Sequence, residues 1–493
     1  MPFQNMTNDT TWNVWQDGIQ EILTNSLSNS NELTVKQTES INNLIQSKGF
    51  ANNASITPSV ASTVSQRMKT NVFIYGNIIK AGSIIRINAQ LVDSKTEEVL
   101  KPFQIEGLSS EEDIMRIIDS LSAKIKNTLI ISNLEKTVSY DYKNYAYTDS
   151  PEAFKSFIYG KNAFLKRDFP TAVNLLSRAV AIDSNFVGAL DMLAWAFWNL
   201  DMFNQAKGIA LKLYEKRDQV SIYMKAVLNH TYTYFHGTIN EDIKCLKQIL
   251  AIDDQLPVFY FVLGQNYRII NQFDKAIPEL EKSMEIYKKW DSKPGWVLNY
   301  TELGFAYHKT GQYNKEKRLY KKAEQDFPDD PSIIQRKVIL SFAKGDTVAV
   351  THYIEKYISI LKENLSSEAD IKNSLAQIYS EAGTLGEAEK YYRQTLLLEP
   401  DNPNRLNNLA FFLIDKDRNI NEGIELVDKS LVSSPDNFNY LHTKGWGLYK
   451  QRKYKEALDI LQRSWDLRRE KAVYNHEAFL HLEEAKKAVA GQK

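Results

Sequence analysis

One cysteine, Cys245, stands among 493 residues. That excludes an internal disulfide framework and any multi-cysteine zinc or iron–sulfur site. Glycine and proline are scarce, at 20 and 13 residues, or about 4% and 3% against a usual 7% and 5%. So few turn formers favour long helices joined by short turns. Neither sign of charge dominates: 61 Lys and Arg balance 61 Asp and Glu. This argues against a chain held to nucleic acid or anionic lipid by bulk charge. No run approaches the 18 or so apolar residues of a membrane helix, and the first thirty residues lack a basic start followed by an apolar core, so no signal peptide is read there. Neither G-x-x-x-x-G-K-[ST] nor G-x-G-x-x-G occurs, so no phosphate-cradling loop is visible. What remains is a folded composition, 43% hydrophobic and 25% charged, long enough for roughly three ordinary domains.

Two periodicities divide the chain. Asn71 to Lys80 ends at Ala81-Gly82, and Ser83 to Asp93 then alternates, with Ile85, Ile87, Ala89 and Leu91 on one face. A third run, Glu97 to Glu106, follows the polar turn Ser94-Lys-Thr96. Alternating β-branched residues between short turns predict an antiparallel meander. Helical spacing flanks it: Ile19, Ile22, Leu23 and Leu27 before, and Ile114, Ile117, Ile118, Leu121, Ile125 and Leu129 after. Residues 1–135 therefore read as a small α/β domain.

From about residue 150 the alternation gives way to a repeat near 34 residues. Tyr-x-x-Leu-Gly-x-x-Tyr occurs at 260–267 and again at 300–307. Gly160 with Ala172, Ala194 with Ala206, Gly264 with Ala276, Ala376 with Ala388, and Gly445 with Ala457 keep a spacing of twelve. A small residue at repeat position 8 lets two antiparallel helices approach, and the alanine twelve residues on faces it. Pro328, Pro400 and Pro435 stop second helices, because proline lacks an N–H and clashes with the preceding turn. One such pair cannot bury its apolar face alone, so the pairs must stack.

These residues resemble the tetratricopeptide repeat, W-x2-L-G-x2-Y…A-x3-F…P. About nine repeats start near residues 153, 187, 223, 257, 297, 331, 369, 403 and 438 and fill 150–471. The repeat at 223 is irregular, with Asp242 at the small position, and the one at 331 shows no small-residue spacing. Residues 472–493, with Tyr474 to Ala488, read as a terminal capping helix. The opening residues resemble a second family, the TolB/FlgO type of amino-terminal domain. Pro2-Phe-Gln-Asn-Met, Trp15 to Leu23, and Ile74 to Asp93 with its Arg86-Ile-Asn-Ala-Gln-Leu-Val-Asp segment carry that likeness. That family opens with an apolar strand running into Pro-Phe, whereas here Met1 directly precedes Pro2, so the first strand is expected to be missing. The expected class is α+β: a small α/β domain followed by an all-α, right-handed superhelical solenoid.

The resemblance implies that repeat positions 2, 5, 9, 12 and 13 face an inner groove. In this chain those positions include Trp195, Trp198, Gln265, Arg268, Phe305, His308, Asn373, Gln377, Asn407, Phe411, His442, Trp446 and Tyr449. Aromatics among amides suit an extended peptide. The Lys and Asn pair with which the chaperone-tail class clamps a carboxylate is not found in any repeat. No catalytic grouping, cofactor or metal site is expected. His476-Glu477 and His481 resemble a zinc-protease motif, but histidines at i and i+5 stand about 140° apart on a helix. Cys245 reads as a structural thiol, and the basic stretches at 207–217 and 317–322 as solvated faces. The expected function is a non-enzymatic scaffold for a protein or peptide partner, without nucleic acid and without direct membrane insertion. The alternative is the sensory or regulatory portion of a membrane-anchored bacterial signalling protein with an upstream kinase or cyclase domain, which would favour an extracytoplasmic position.

Overall fold

The computed structural model describes residues 1–30, 33–47, 56–134, 148, 150–471 and 473–491. The domain end drawn at residue 135 therefore lies outside the described residues. Two compact units divide the chain: Met1–Leu263 with Glu281–Pro294, and Gly264–Leu280 with Gly295–Lys493.

The first unit opens with β1 (Gln4–Asn5), α1 (Val14–Ser28), α2 (Thr38–Ser47) and α3 (Pro58–Arg67). The meander follows as β2 (Val72–Ala81), β3 (Ile84–Asp93) and β4 (Val99–Leu108), then α4 (Glu111–Leu134). The sheet order is β1-β2-β3-β4. β2, β3 and β4 are antiparallel, with Ile78 opposite Ile87 and Ile87 opposite Ile105. The two-residue β1 runs parallel to β2, Gln4 beside Asn77, and Met6 N–H donates to the Ile78 carbonyl at 2.9 Å. Phe3 seats the strand: it is fully buried, and a Cβ on Gly76 would fall 2.3 Å from its ring.

Alternation puts Ile85, Ile87, Ala89 and Leu91 into one core with Ile19 and Ile22 of α1 and Ile114, Ile118 and Leu121 of α4. The opposite face supplies Phe73 and Val92 to a second core with Leu44, Ile56, Val64, Met68, Ile286 and the fully buried Trp290. Among the described residues all strand lies between 4 and 108.

The rest is helical: α5 (Pro151–Leu165) and α6 (Phe169–Ile182), α7 (Val187–Trp198) and α8 (Phe203–Lys216), α9 (Ile222–His236) and α10 (Ile239–Ile252). Then come α11 (Pro257–Ile269) and α12 (Phe273–Lys289), α13 (Leu298–Lys309) and α14 (Tyr313–Asp326), α15 (Pro331–Ala343) and α16 (Thr347–Glu363). The last are α17 (Glu368–Glu381) and α18 (Leu385–Leu398), α19 (Pro403–Asp415) and α20 (Ile420–Ser433), α21 (Phe438–Lys450) and α22 (Tyr454–Glu470), and the lone α23 (His476–Ala490). The α/β region and the first repeat share one core. Trp15 of α1 stacks on Phe154 of α5 with centroids 5.7 Å apart, and Phe154, Phe157 and Leu176 belong to the same core as the sheet. Gly18 permits the approach, since a Cβ there would meet Phe154 at 2.7 Å.

Helix ends follow local chemistry. Asp168, Ser221, Asp346, Ser367 and Asn475 cap first turns by accepting backbone N–H groups. Phe327, Glu399 and Ser434 are C-caps, so Pro328, Pro400 and Pro435 sit directly after them. With glycine scarce, the turn inside a pair often places another residue in the left-handed region. Arg167, Asp201, Asn271, Asp417 and Arg452 do this, and glycine does it only at 311, 345 and 383.

Candidate functional site

The inner helices owe their packing to the small positions. A Cβ on Gly160, Gly264 or Gly445 would lie 2.5–2.7 Å from the side chain of Leu176, Leu280 or Leu461, and one on Gly304 would lie 2.2 Å from Tyr320 Oη. In each case the clashing residue is sixteen further on, and for Gly160, Gly264 and Gly445 the alanine twelve on is itself fully buried. The small residue thus admits a large side chain from the facing helix. Two pairs depart from this scheme through charge. In α9–α10, Asp242 holds the alanine position and His230 the glycine position; His230 Nδ1 lies 2.6 Å from Asp242 Oδ1, both buried. Thr233 donates to the same carboxylate at 2.8 Å. In α13–α14, the buried Glu316 replaces the alanine and meets His308 Nδ1 at 3.1 Å.

Around His230 the first unit gathers its aromatics. Trp195 stacks on His230 at 5.4 Å and 25°, and stands 4.9 Å from Tyr234 and 5.3 Å from Phe235. Trp198 meets Tyr234 edge-on at 5.3 Å. Both tryptophans are half-buried and join α7 to α9. Nearby, Asp191 accepts from Thr231 Oγ1 at 2.6 Å, and burial pushes its carboxyl up to about 6.

In the second unit, Gln265 and Arg268 on α11 and Phe305 and His308 on α13 are all half-buried. Arg268 donates to Glu302 at 3.1 Å. Three cations surround the Phe305 ring: Arg268 at 5.6 Å, Lys309 at 5.2 Å and Arg336 at 5.1 Å from its centroid. Arg336 is tied to Glu381, and Lys309 is exposed.

Further along, Gln377 is exposed and Asn407 half-buried. Asn373 is buried and accepts from Asn408 Nδ2 at 3.0 Å. Phe411 lies 5.8 Å from His442, and Tyr449 stacks on Trp446 at 4.8 Å. Trp446 and His442 are only 7% and 5% exposed. The cover is α23: His481 lies flat on Trp446 at 3.6 Å and 6°, and its Nδ1 is 3.0 Å from His442 Nε2. Burial pushes His442 down to about 3 and His481 to about 4. The sequence signal for His230–Asp242 was a carboxylate at a small position, which demands a partner across the pair. Nothing local announced His481, which reaches Trp446 from another helix. His476, five residues before His481, turns instead to the Tyr474 hydroxyl at 2.9 Å. Burial raises the half-buried Cys245 thiol.

Three segments match models described as tetratricopeptide repeat: residues 258–289, 369–402 and 439–478. Among curated proteins, the chain is similar to a TPR repeat-containing protein of Methanocaldococcus jannaschii, with 23% identity over 44% of this chain and 38% of that one. It is also similar to the anaphase-promoting complex subunit CDC16 of Saccharomyces cerevisiae, with 20% identity over 74% and 44%. The chain thus spans less than half the length of either relative. Among solved structures, the anaphase-promoting complex hetero-tetramer Cut9–Hcn1 aligns at 16% identity with a TM-score of 0.39, covering 69% of this chain and 60% of that one. The matched segments are tetratricopeptide repeats, and they lie in a run of helix pairs behind a small strand-containing region. No helix among the described residues is long and apolar enough to cross a membrane.

Proposed function

We propose that the chain is a non-enzymatic scaffold whose repeats hold a protein or peptide partner on their inner faces, and that the ring of Phe305 marks the point of recognition. The observation that carries this reading is the bracketing of one half-buried aromatic ring by Arg268, Lys309 and Arg336 within 5.1–5.6 Å. A ring face with cations at its rim is preorganised: the aromatic holds the charged heads in place before a partner arrives. An extended acidic segment fits it, with an apolar side chain on the ring and carboxylates on the cations. Arg268 and Arg336 already face Glu302 and Glu381, so the exposed Lys309 is the cation to which a new carboxylate gains access.

The test is fluorescence titration of the full chain with a library of acidic and basic peptides. Phe305→Ala should weaken the best acidic peptide by about 30-fold, as loss of a hot spot worth about 2 kcal/mol requires. Lys309→Glu, an exposed change that leaves the packing intact, should weaken it further at low salt than at high salt. Equal affinity for both peptide classes, or unchanged binding in both variants, would sink the proposal.

A further inference from the structure

Glu477 and His481 are four residues apart on α23, so they share one face of the helix. Asp415, the last residue of α19, meets that face. One oxygen from each carboxylate and one ring nitrogen of His481 all lie within 4.8 Å of one another. His481 is 8% exposed. Its Nδ1 is engaged by His442 Nε2 at 3.0 Å, which leaves Nε2 without a hydrogen-bond partner among the described residues. Among the described residues no salt bridge is made to Glu477, and one oxygen of Asp415 stays outside its ion pair. Lys416 holds only Asp415 Oδ2, at 2.8 Å. Lys450 is taken by Asp417, and Arg468 donates to Asn439.

We propose that Asp415, Glu477 and His481 form a binding site for a divalent transition cation of the zinc type. Two carboxylates and an imidazole are the ligand chemistry of such ions. Tetrahedral ligands at about 2.0–2.1 Å from zinc stand about 3.4 Å apart, so the donors need to close by little more than 1 Å, and the exposed Glu477 side chain is free to swing. His442 acts as the positioning residue. By holding Nδ1 it fixes the ring orientation and presents Nε2 to the ion, the role that outer hydrogen-bond partners play for metal-bound histidines. A bound cation joins α19 to α23 and so fastens the terminal helix over Trp446.

The experiment is titration of the full metal-free chain with Co2+, read by its visible absorption, and with Zn2+, read by calorimetry and by thermal melting. One equivalent should bind, with a cobalt band of nitrogen and oxygen ligation and a rise in Tm. Asp415→Asn and Glu477→Gln should each weaken binding at least tenfold and abolish the Tm rise. Glu477→Gln changes only an exposed side chain, so a melting curve matching wild type without metal separates lost ligation from lost folding. His476→Ala should bind as wild type. Absence of stoichiometric binding, binding unaltered in the Asp415→Asn/Glu477→Gln double variant, or binding lost in His476→Ala would overturn the assignment.

Discussion

Trp195 in the first unit and Trp446 in the second each lie against a histidine ring, at 5.4 Å on His230 and 3.6 Å on His481. The stacks look alike but are completed differently. His230 reaches a carboxylate inside its own helix pair, Asp242, which Thr233 also contacts. Among the described residues His481 hydrogen-bonds a second imidazole, His442, and both are forced by burial far below the ordinary histidine range. Two carboxylates stand beside the second stack without entering it. A buried imidazole that owns a carboxylate is a closed structural element; one that shares a nitrogen with another imidazole keeps its remaining nitrogen for something else.

The largest test removes the carboxylate from each side. Asp242→Ala takes from the buried His230 its carboxylate and should cost about 3–5 kcal/mol, as breaking a buried pair does. Asp415→Ala, without metal, should cost less than about 1 kcal/mol, because its charge faces a neighbouring lysine near the surface. Urea melts of both variants decide it; equal losses would remove the distinction between the two stacks.

Acid should then separate them by sign. His442 and His481, held at about 3 and 4, stay neutral in the fold while an unfolded histidine takes up a proton near pH 6.5. The folded state binds fewer protons, so stability is full above about pH 6.5 and falls as pH drops toward 4, by up to about 1.4 kcal/mol per pH unit for each histidine. Asp191, held up at about 6, does the reverse. Folded, it keeps a proton that the unfolded chain has released, so its contribution is full below about pH 4 and is lost as pH rises toward 6. His442→Leu should flatten the acid slope of metal-free protein, and Asp191→Asn should flatten the opposing one. Denaturant melts at pH 4, 5, 6 and 7 give both; slopes of the same sign in both variants would contradict this account.

The smallest effect concerns the turns. Arg452 has φ +64° and Asp201 +58°. Arginine gains nothing there, whereas aspartate tolerates the left-handed region better. Arg452→Gly should stabilise by up to about 1 kcal/mol and Asp201→Gly by less, read as a difference in melting temperature.

Much of the fold was legible because its signals are local. The meander announced itself by alternation, so β2 and β3 lie within a residue or so of the runs at 71–80 and 83–93. The helix pairs showed through the spacing of Gly264 with Ala276 and Gly445 with Ala457, which is set by one turn and two helix halves. The groove was harder to read. Position in a repeat says which way Trp446 points, but whether solvent or another helix meets it depends on α23, more than thirty residues away. The same holds for Asp415 and His481, which no spacing rule connects, and for the stacking of Trp15 on Phe154, which joins the α/β region to the first repeat.

The His230–Asp242 pair also bears on how such an array changes over generations. A helix pair packed by small residues can be duplicated, lost or moved beside a neighbour, since its contact needs no charged partner. This pair is indivisible. Losing one partner of this buried pair costs about 3–5 kcal/mol, a large part of many domains' stability, so the two residues are expected to be inherited together. Asp242 at a small position is therefore a landmark: in any shuffled descendant of this array, the repeat that carries it identifies which ancestral pair it copies.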